Sequence, residues 1–307
     1  MELTMEQTTA QPSDRTTAGF TPSPVKPLVH QPLATLPRHR MASTPQLPVL
    51  IRPDHSRQSV SQRLNQLLGK RLADFVVLPQ PNRTRAWFLP PKGARLTRDW
   101  PALRGRPPYP ITSATAASPK TPHTPTLPGT HLEVVADARP GGNTHGHLDW
   151  TPEVFHSIGD GEKAVADAFM PSTLPHSQQP RKLRAFIEID PATMSSARLT
   201  AQLTEYARLW SYELQPAGRR RQHRARLAAP VPRRPRILFV LTGAGRQAID
   251  NRISSLKAIP AHHPLVADLA RKVPLGAVVL EDLEERGATC DVWVPPAGGE
   301  PRPRTGL

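Results

Sequence analysis

Proline is the feature that most restricts how this chain can fold. The 307 residues include 38 prolines, and only 37% of the residues are hydrophobic. Because proline fixes φ and lacks a backbone N–H, it interrupts helices and central strands, so a large part of the chain is excluded from a packed core. We therefore expect two modest globular units joined by loose segments.

Stretches of biased composition mark the expected boundaries of these units. Residues 1–28 are rich in Thr, Ser, Pro and Gln without apolar periodicity, which predicts a disordered tail. Residues 101–130 have a similar composition and predict a semi-extended linker. The first unit is then expected at 29–100, the second at 131–295, and a short tail at 296–307.

The charge of the chain favours a polyanionic partner. The formal net charge is +15, and a strongly basic balance of this kind is typical of proteins that bind nucleic acid. Residues 31–127 carry 15 lysines and arginines against three aspartates, so most of the excess belongs to the first unit. A later arginine run at 219–236 is interpreted as a solvated loop. Double-stranded DNA is the predicted partner.

Cysteine usage and hydropathy limit the compartment and the metal chemistry. Cys290 is the only cysteine, which excludes an internal disulfide framework and a cysteine-based zinc site. No signal-peptide pattern and no stretch near the ~20 apolar residues of a membrane span is present, so we expect a cytoplasmic protein with no membrane partner. His145 and His147, in a glycine-rich loop, are interpreted as surface imidazoles rather than metal ligands.

The first unit has the pattern of a helix followed by a hairpin. A helix is predicted from Ser56 or Asp54, as N-cap, to about residue 72, and its apolar residues recur at helical spacing: Val60, Leu64, Leu67 and Leu68. Strands are predicted at 75–78 and 86–89 around a basic turn. This arrangement indicates a winged helix, although Pro37 and Pro48 fall where earlier helices should run.

The exposed side of this helix and the hairpin turn supply the candidate DNA contacts. Their side chains are donors and acceptors suited to base edges and phosphates. The candidates are Arg57, Gln58, Gln62, Arg63, Arg83 and Arg85. The alternative is that helix and hairpin form only a small α+β piece that packs on the second unit.

The second unit alternates strand-like and helical stretches, which predicts a mixed α/β sheet. The predicted strands are 185–189, 237–241, 277–280 and 292–294, and the predicted helices are 196–210 and 246–256, the latter beginning after Gly245.

Acidic residues at the end of one predicted strand form the candidate catalytic site. Glu188 and Asp190 are two residues apart and therefore project from the same face, and Asp167, on the preceding segment, converges with them if that segment pairs alongside. Three carboxylates around one point could bind Mg²⁺ and activate water against a phosphodiester. The alternative is that Asp190 caps the following helix.

Several segments resemble replication-relaxation proteins. In the second unit these are residues 148–153, 165–168, 186–190, 193–206 and 235–242. In the first unit, 57–97 resembles the winged helix of that family. The similarity covers most of 33–294.

The resemblance implies a plasmid or mobile-element protein connected with replication and DNA relaxation, which could meet replication or mobilisation proteins. It implies a winged helix followed by a restriction-endonuclease-like domain of the PD-(D/E)XK type. By motif position, Asp167 is the first acidic residue, and Glu188 and Asp190 supply the second half. Where the family has a lysine on the following helix, this chain has Gln202, which cannot supply a positive charge.

Three functional hypotheses follow. The first is a DNA-binding protein whose nuclease-like domain is not catalytic, and the second is a Mg²⁺-dependent endonuclease or nickase. The third is a diverged copy without function, because prolines such as Pro128 occupy helical positions of the family.

Overall fold

A computed structural model gives the three-dimensional structure. It describes residues 30–51, 56–78, 83–103, 111–112, 126–138, 145–146, 148–159, 162–174, 180–211, 235–243 and 245–307. The predicted N-terminal tail, most of the predicted linker and most of the arginine run lie outside the described residues.

The first unit combines four helices with a small antiparallel sheet. The helices are α1 (His30–His39), α2 (Gln46–Ile51), α3 (Arg57–Gly69) and α4 (Pro91–Thr97), followed by a 3₁₀ turn (Pro101–Leu103). The strands are β1 (Met41–Ser43), β2 (Asp74–Val77) and β3 (Arg85–Phe88), in the order β1-β3-β2. The core forms because the predicted apolar stripe of α3 packs against Trp87 of β3.

The helix that follows Ser56 forms as predicted but ends earlier. The Ser56 side chain accepts a hydrogen bond from the Ser59 backbone N–H at 3.3 Å, which satisfies one of the open donors of the first turn. Arg71 has a φ of 56°, so the chain leaves the helix before residue 72. Strand β1 was not predicted from the sequence, because three residues carry too little periodicity.

The second unit is a mixed sheet with helices on both faces. Its helices are α5 (Thr126–Ala138), α6 (Ser196–Ser211), α7 (Arg246–His262), α8 (Pro264–Lys272) and α9 (Leu280–Arg286). Its strands are β4 (Thr151–Gly159), β5 (Glu162–Leu174), β6 (Arg181–Asp190), β7 (Arg236–Leu241) and β8 (Leu275–Val279), ordered β4-β5-β6-β7-β8. Strands β4 to β6 pair antiparallel, and β6, β7 and β8 pair parallel. The predicted mixed α and β structure is confirmed.

Strand β6 lies in the middle of this sheet and is buried on both sides. One face packs on α6, α7 and α8 in a core that includes Phe186, Tyr206 and Phe239. The opposite face packs on α5 and α9 in a core that includes Trp150 and Trp293. A polar group on β6 near its buried end therefore needs a partner from the protein itself.

Residues 126–130 and 292–294 also differ from the sequence expectation. Residues 126–130, assigned to the linker, form the first turn of α5. Pro128 is the third residue of that helix, where the missing N–H has no intrahelical acceptor to lose. Residues 292–294 do not form a strand, because only isolated bridges join Val294 to Ala277 and Trp293 to Arg302.

The two units touch through helices α1 and α2. Helix α1 contacts β4, and α2 contacts α5. At the end of α1, Arg40 forms an ion pair with Glu153 of β4. The first unit is therefore held against the edge of the five-stranded sheet.

Close packing of α4 on the end of α3 gives a stability prediction. A Cβ atom at Gly93 would overlap with the carbonyl oxygen of Leu72. We expect Gly93→Ala to lower the free energy of unfolding by about 1–3 kcal/mol, the usual cost of overpacking. Gly69→Ala, where a Cβ meets nothing within 4 Å, is the matched control and should be neutral or stabilising. Urea denaturation followed by circular dichroism measures both, and equal midpoints for the two variants would contradict the packing.

Candidate functional site

The predicted acidic residues lie at the buried end of the central strand. Glu188 and Asp190 are 2% and 1% exposed, and they contact the helices that cover the same side of the sheet. Glu188 meets α6 and Asp190 meets α7. Each has partners of its own, which decide what the site can do.

Glu188 is enclosed by side chains of α6. The Tyr206 hydroxyl donates to Oε1, and Gln202 Nε2 donates to Oε2 at 2.7 Å. Burial raises the pKa of Glu188 well above its usual value, and the nearby Asp167 carboxylate raises this pKa further. Burial and the Glu188 carboxyl likewise raise the pKa of the Tyr206 hydroxyl. The environment therefore favours a protonated, neutral Glu188.

Asp167 lies next to Glu188 at the point where the pairing of β5 and β6 ends. The last paired residues are Ala168 and Ile187, and beyond them the Asp167 carboxylate replaces a backbone acceptor. Its Oδ2 accepts the Ile189 N–H at 2.8 Å. The structure thus brings two of the three predicted acidic residues into contact.

Asp190 forms a buried ion pair with an arginine. Its Oδ2 lies 3.0 Å from Nε of Arg252 on α7, and both side chains are almost completely buried. Asp190 Oδ1 accepts the Ala192 N–H at 2.8 Å, which closes a tight turn after the strand. The cap of α6 is Ser195, whose Oγ accepts the Arg198 N–H at 3.3 Å, so Asp190 does not cap this helix.

These contacts do not fit a magnesium site. Mg²⁺ is usually held through ionised carboxylates, whereas Asp190 already has a guanidinium as counter-ion and both oxygens of Glu188 accept hydrogen bonds from side chains of α6. Within the described part of the chain, no three Asp, Glu, His or Cys side chains form a group that could hold a metal ion. The amide of Gln202 binds Glu188 at the position where the family resemblance implies a lysine.

Sequence reasoning missed Arg252. It lies on α7 among the buried residues Ile249, Leu256 and Ile259, and it also donates to the Met194 carbonyl. A lone arginine within an apolar helical stripe was the available signal, because such a buried cation needs an anionic partner. The contact between the Tyr206 hydroxyl and Glu188 was not predicted from the sequence either.

The candidate DNA contacts lie on the exposed surface of the first unit. Those on α3 (Arg57, Gln58, Gln62 and Arg63) are exposed, as are Arg83 and Arg85 at the hairpin. The Arg85 guanidinium stacks on the Phe75 ring at 4.3 Å, and its Nη1 lies 3.5 Å from Asn65 Oδ1 on α3. Arg85 therefore connects the hairpin to the exposed face of the helix.

One imidazole differs from the sequence interpretation. His145, interpreted as a surface residue, is 6% exposed and hydrogen-bonded through both ring nitrogens, so that interpretation was wrong. His147 lies outside the described residues.

Comparison with known proteins identifies the family. A family model described as Replication-relaxation matches residues 33–220, more than half of the chain. The chain belongs to the replication-relaxation family. No curated protein and no solved structure matches significantly. The matched range contains α3, the hairpin and all three acidic residues, whereas Arg252 lies beyond it. None of the described helices combines the length and apolar character needed to cross a membrane.

The raised pKa of Glu188 predicts a specific pH dependence of stability. Above the ordinary carboxyl pKa of 4.5 the unfolded chain releases this proton while the folded protein keeps it, so the wild type loses stability as the pH rises from there towards the native pKa. Glu188→Gln cannot ionise, and its stability relative to wild type should increase between pH 4.5 and pH 8. Chemical denaturation across this range tests the prediction.

The matched control is Glu205→Gln, because Glu205 is exposed on α6, the helix that provides the partners of Glu188. Its pH profile should follow that of the wild type. If the Glu188→Gln profile also runs parallel to the wild type, Glu188 is ionised in the fold and the site is not neutral.

Proposed function

We propose that this member of the replication-relaxation family binds duplex DNA through its first unit, and that its second unit is a nuclease-like domain without catalytic activity. The observation that carries the proposal is the adjacency of the exposed polar face of α3 and the basic hairpin, joined by the Arg85–Asn65 contact. The order of helices and strands in this unit is consistent with a winged helix.

The charge of this surface supports a phosphate-rich partner. Between residues 55 and 98 the sequence contains one acidic residue, Asp74. The basic residues of α3 and the hairpin are exposed rather than paired into the core. Neutralising DNA phosphates releases counterions, which provides affinity for any sequence.

Helix α3 and the hairpin suit different kinds of DNA contact. The amides of Gln58 and Gln62 match adenine edges in the major groove, and Arg57 and Arg63 on the same helix can reach phosphates. Arg83, at the tip, and Arg85 would contact phosphate or the minor groove. Stacking of Arg85 on Phe75 limits its rotamers, so less side-chain entropy is lost on binding.

The partners of the acidic residues support the non-catalytic assignment of the second unit. A nuclease site needs ionised carboxylates with free lone pairs for a metal. In this chain both oxygens of Glu188 accept hydrogen bonds, and Asp190 is neutralised by Arg252. The antiparallel strands β4 to β6 continued by parallel β7 are consistent with a nuclease-like domain retained as a scaffold.

We expect the double variant Arg83→Ala/Arg85→Ala to weaken duplex binding at every sequence. Each lost phosphate contact should lower the slope of log K against log salt by about one, so the double variant should lose about two. Fluorescence anisotropy with a labelled duplex across a salt series measures both quantities.

Lys257→Ala provides a control from the second unit, because Lys257 is exposed on α7. Like each hairpin substitution, it removes one positive charge. This variant should bind as the wild type does. Unchanged affinity and slope in the hairpin variant would remove the hairpin from the interface.

Magnesium-dependent nicking is the second candidate function. One observation favours it, the proximity of the Asp167 and Glu188 carboxyl groups, since Mg²⁺ in proteins is often held through one or two carboxylates. The contacts of Arg252 and Gln202 count against it. Asp167, Glu188 and Asp190 are the residues on which it would depend.

We expect no Mg²⁺-dependent nicking of supercoiled plasmid by the purified full-length protein. Agarose gel analysis should show the same background for the wild type, Asp167→Asn and Glu188→Gln. Nicking by the wild type that both substitutions abolish, but Glu205→Gln retains, would establish the enzyme and overturn the scaffold assignment.

The proposed setting is a cytoplasmic plasmid or mobile-element system in which replication or mobilisation proteins are further partners. A diverged copy without function stays a competing prediction. It would be supported if the full-length protein bound no duplex DNA even at low salt.

A further inference from the structure

Three buried histidines connect the two units in one line of hydrogen bonds. His39 belongs to α1, His131 to α5, and His145 to the segment before β4, and they are 3%, 0% and 6% exposed. His39 Nε2 lies 2.6 Å from His131 Nδ1, and His131 Nε2 lies 3.0 Å from His145 Nε2. We refer to these three residues as the histidine chain.

Both ends of the histidine chain meet carbonyl oxygens. His39 Nδ1 lies 3.0 Å from the Thr35 carbonyl oxygen, and His145 Nδ1 lies 2.8 Å from the Pro171 carbonyl oxygen. Pro171 lies two residues beyond Phe169, the last residue of β5 that pairs with β4, so its carbonyl is free of the sheet ladder on that side. All six ring nitrogens are thus engaged in four contacts.

Counting protons across these contacts fixes the charge of the histidine chain. A carbonyl oxygen only accepts, so the terminal contacts require N–H groups at His39 Nδ1 and His145 Nδ1. Each of the two contacts between rings also needs one proton. Four protons are therefore required, whereas three neutral imidazoles carry only three. With three neutral rings, the lone pairs of two ring nitrogens would face each other at one inter-ring contact, which is repulsive.

We propose that the histidine chain is a proton-dependent clamp between the two units, intact while it holds one extra proton and weakened when that proton is released. The extra proton can belong to any of the three rings without changing the contacts, because each placement satisfies all four hydrogen bonds. Loss of the proton leaves one inter-ring contact unmade, either His39–His131, which joins α1 to α5, or His131–His145 within the second unit.

The surroundings of His145 disfavour a positive charge on this ring. Burial lowers the pKa of His145, the Pro171 hydrogen bond and Asp149 raise it, and Arg304 lowers it. Other charged groups near the histidine chain, among the described residues, include the Arg40–Glu153 pair that follows His39 in sequence and, on α5, two residues that meet the α9 side: Glu133 and Asp137. Helix α2 carries no ionisable residue.

Aromatic stacking completes the clamp. The Trp150 ring lies 4.7 Å from the His131 ring at 19° and 6.3 Å from the His39 ring at 4°. A cation over the face of an indole is stabilised electrostatically, and this partly offsets the cost of burying the extra charge. The rings follow one another in a line rather than pointing at a common centre, so the arrangement suits a proton and not a metal ion.

Nitrogen NMR of the full-length protein labelled at histidine tests the proton count directly. At pH 6 we expect four protonated nitrogens among the six of the chain, and nitrogen–nitrogen couplings across the two inter-ring hydrogen bonds. At pH 9 we expect three protonated nitrogens and the loss of one coupling. His262→Gln, on an exposed residue, removes an unrelated signal and should leave the pattern unchanged. Three neutral rings at pH 6 would overturn the proposal.

Hydrogen exchange measures how strongly the α1 amides are protected, and it needs no substitution. After correction for the intrinsic pH dependence of exchange, α1 amides should exchange roughly tenfold faster at pH 9 than at pH 6, the factor that corresponds to losing one buried hydrogen bond. Amides of α6, remote from the chain, should not change. Equal protection of α1 at both pH values would show that the proton does not hold the units together.

Discussion

Two carboxyl groups at the buried end of strand β6 impose the main constraint on this structure. A charge in such a position is costly unless a partner within the protein compensates it. Tyr206 and Gln202 of α6 provide hydrogen bonds for Glu188, and Arg252 of α7 provides the counter-ion for Asp190. These contacts fix both helices on the same face of the sheet. The same partners contact the carboxyl oxygens on which the alternative magnesium site would depend.

The chain separates its charges between the two units. The acidic residues that are most deeply buried belong to the second unit, where they are neutralised within the protein. The excess of basic residues belongs to the first unit and faces solvent on α3 and the hairpin. This division favours a protein that binds DNA with one unit and uses the other as a scaffold. The histidine chain and the Arg40–Glu153 pair join these two parts.

Periodicity and turn chemistry predicted α3, α6, β6 and β7, which depend on local apolar patterns, whereas the long strands β4 and β5 were not among the predicted strands. Proline interrupts helices less often in this chain than the sequence predicted. Pro48 and Pro128 each occupy the third position of a helix, where no hydrogen bond is lost, while Pro37 lies inside α1. The contacts of the acidic site could not be predicted, because Asp190 and Arg252 are far apart in sequence and only the sheet topology brings them together.

The decisive measurement is hydrogen exchange of the full-length protein with and without duplex DNA, in the presence of Mg²⁺. We expect DNA to slow exchange in α3 and the β2–β3 hairpin and to leave the ends of β5 and β6 unchanged. Protection centred on Asp167 and Glu188, with no change in α3, would place the DNA at the acidic site and contradict this expectation.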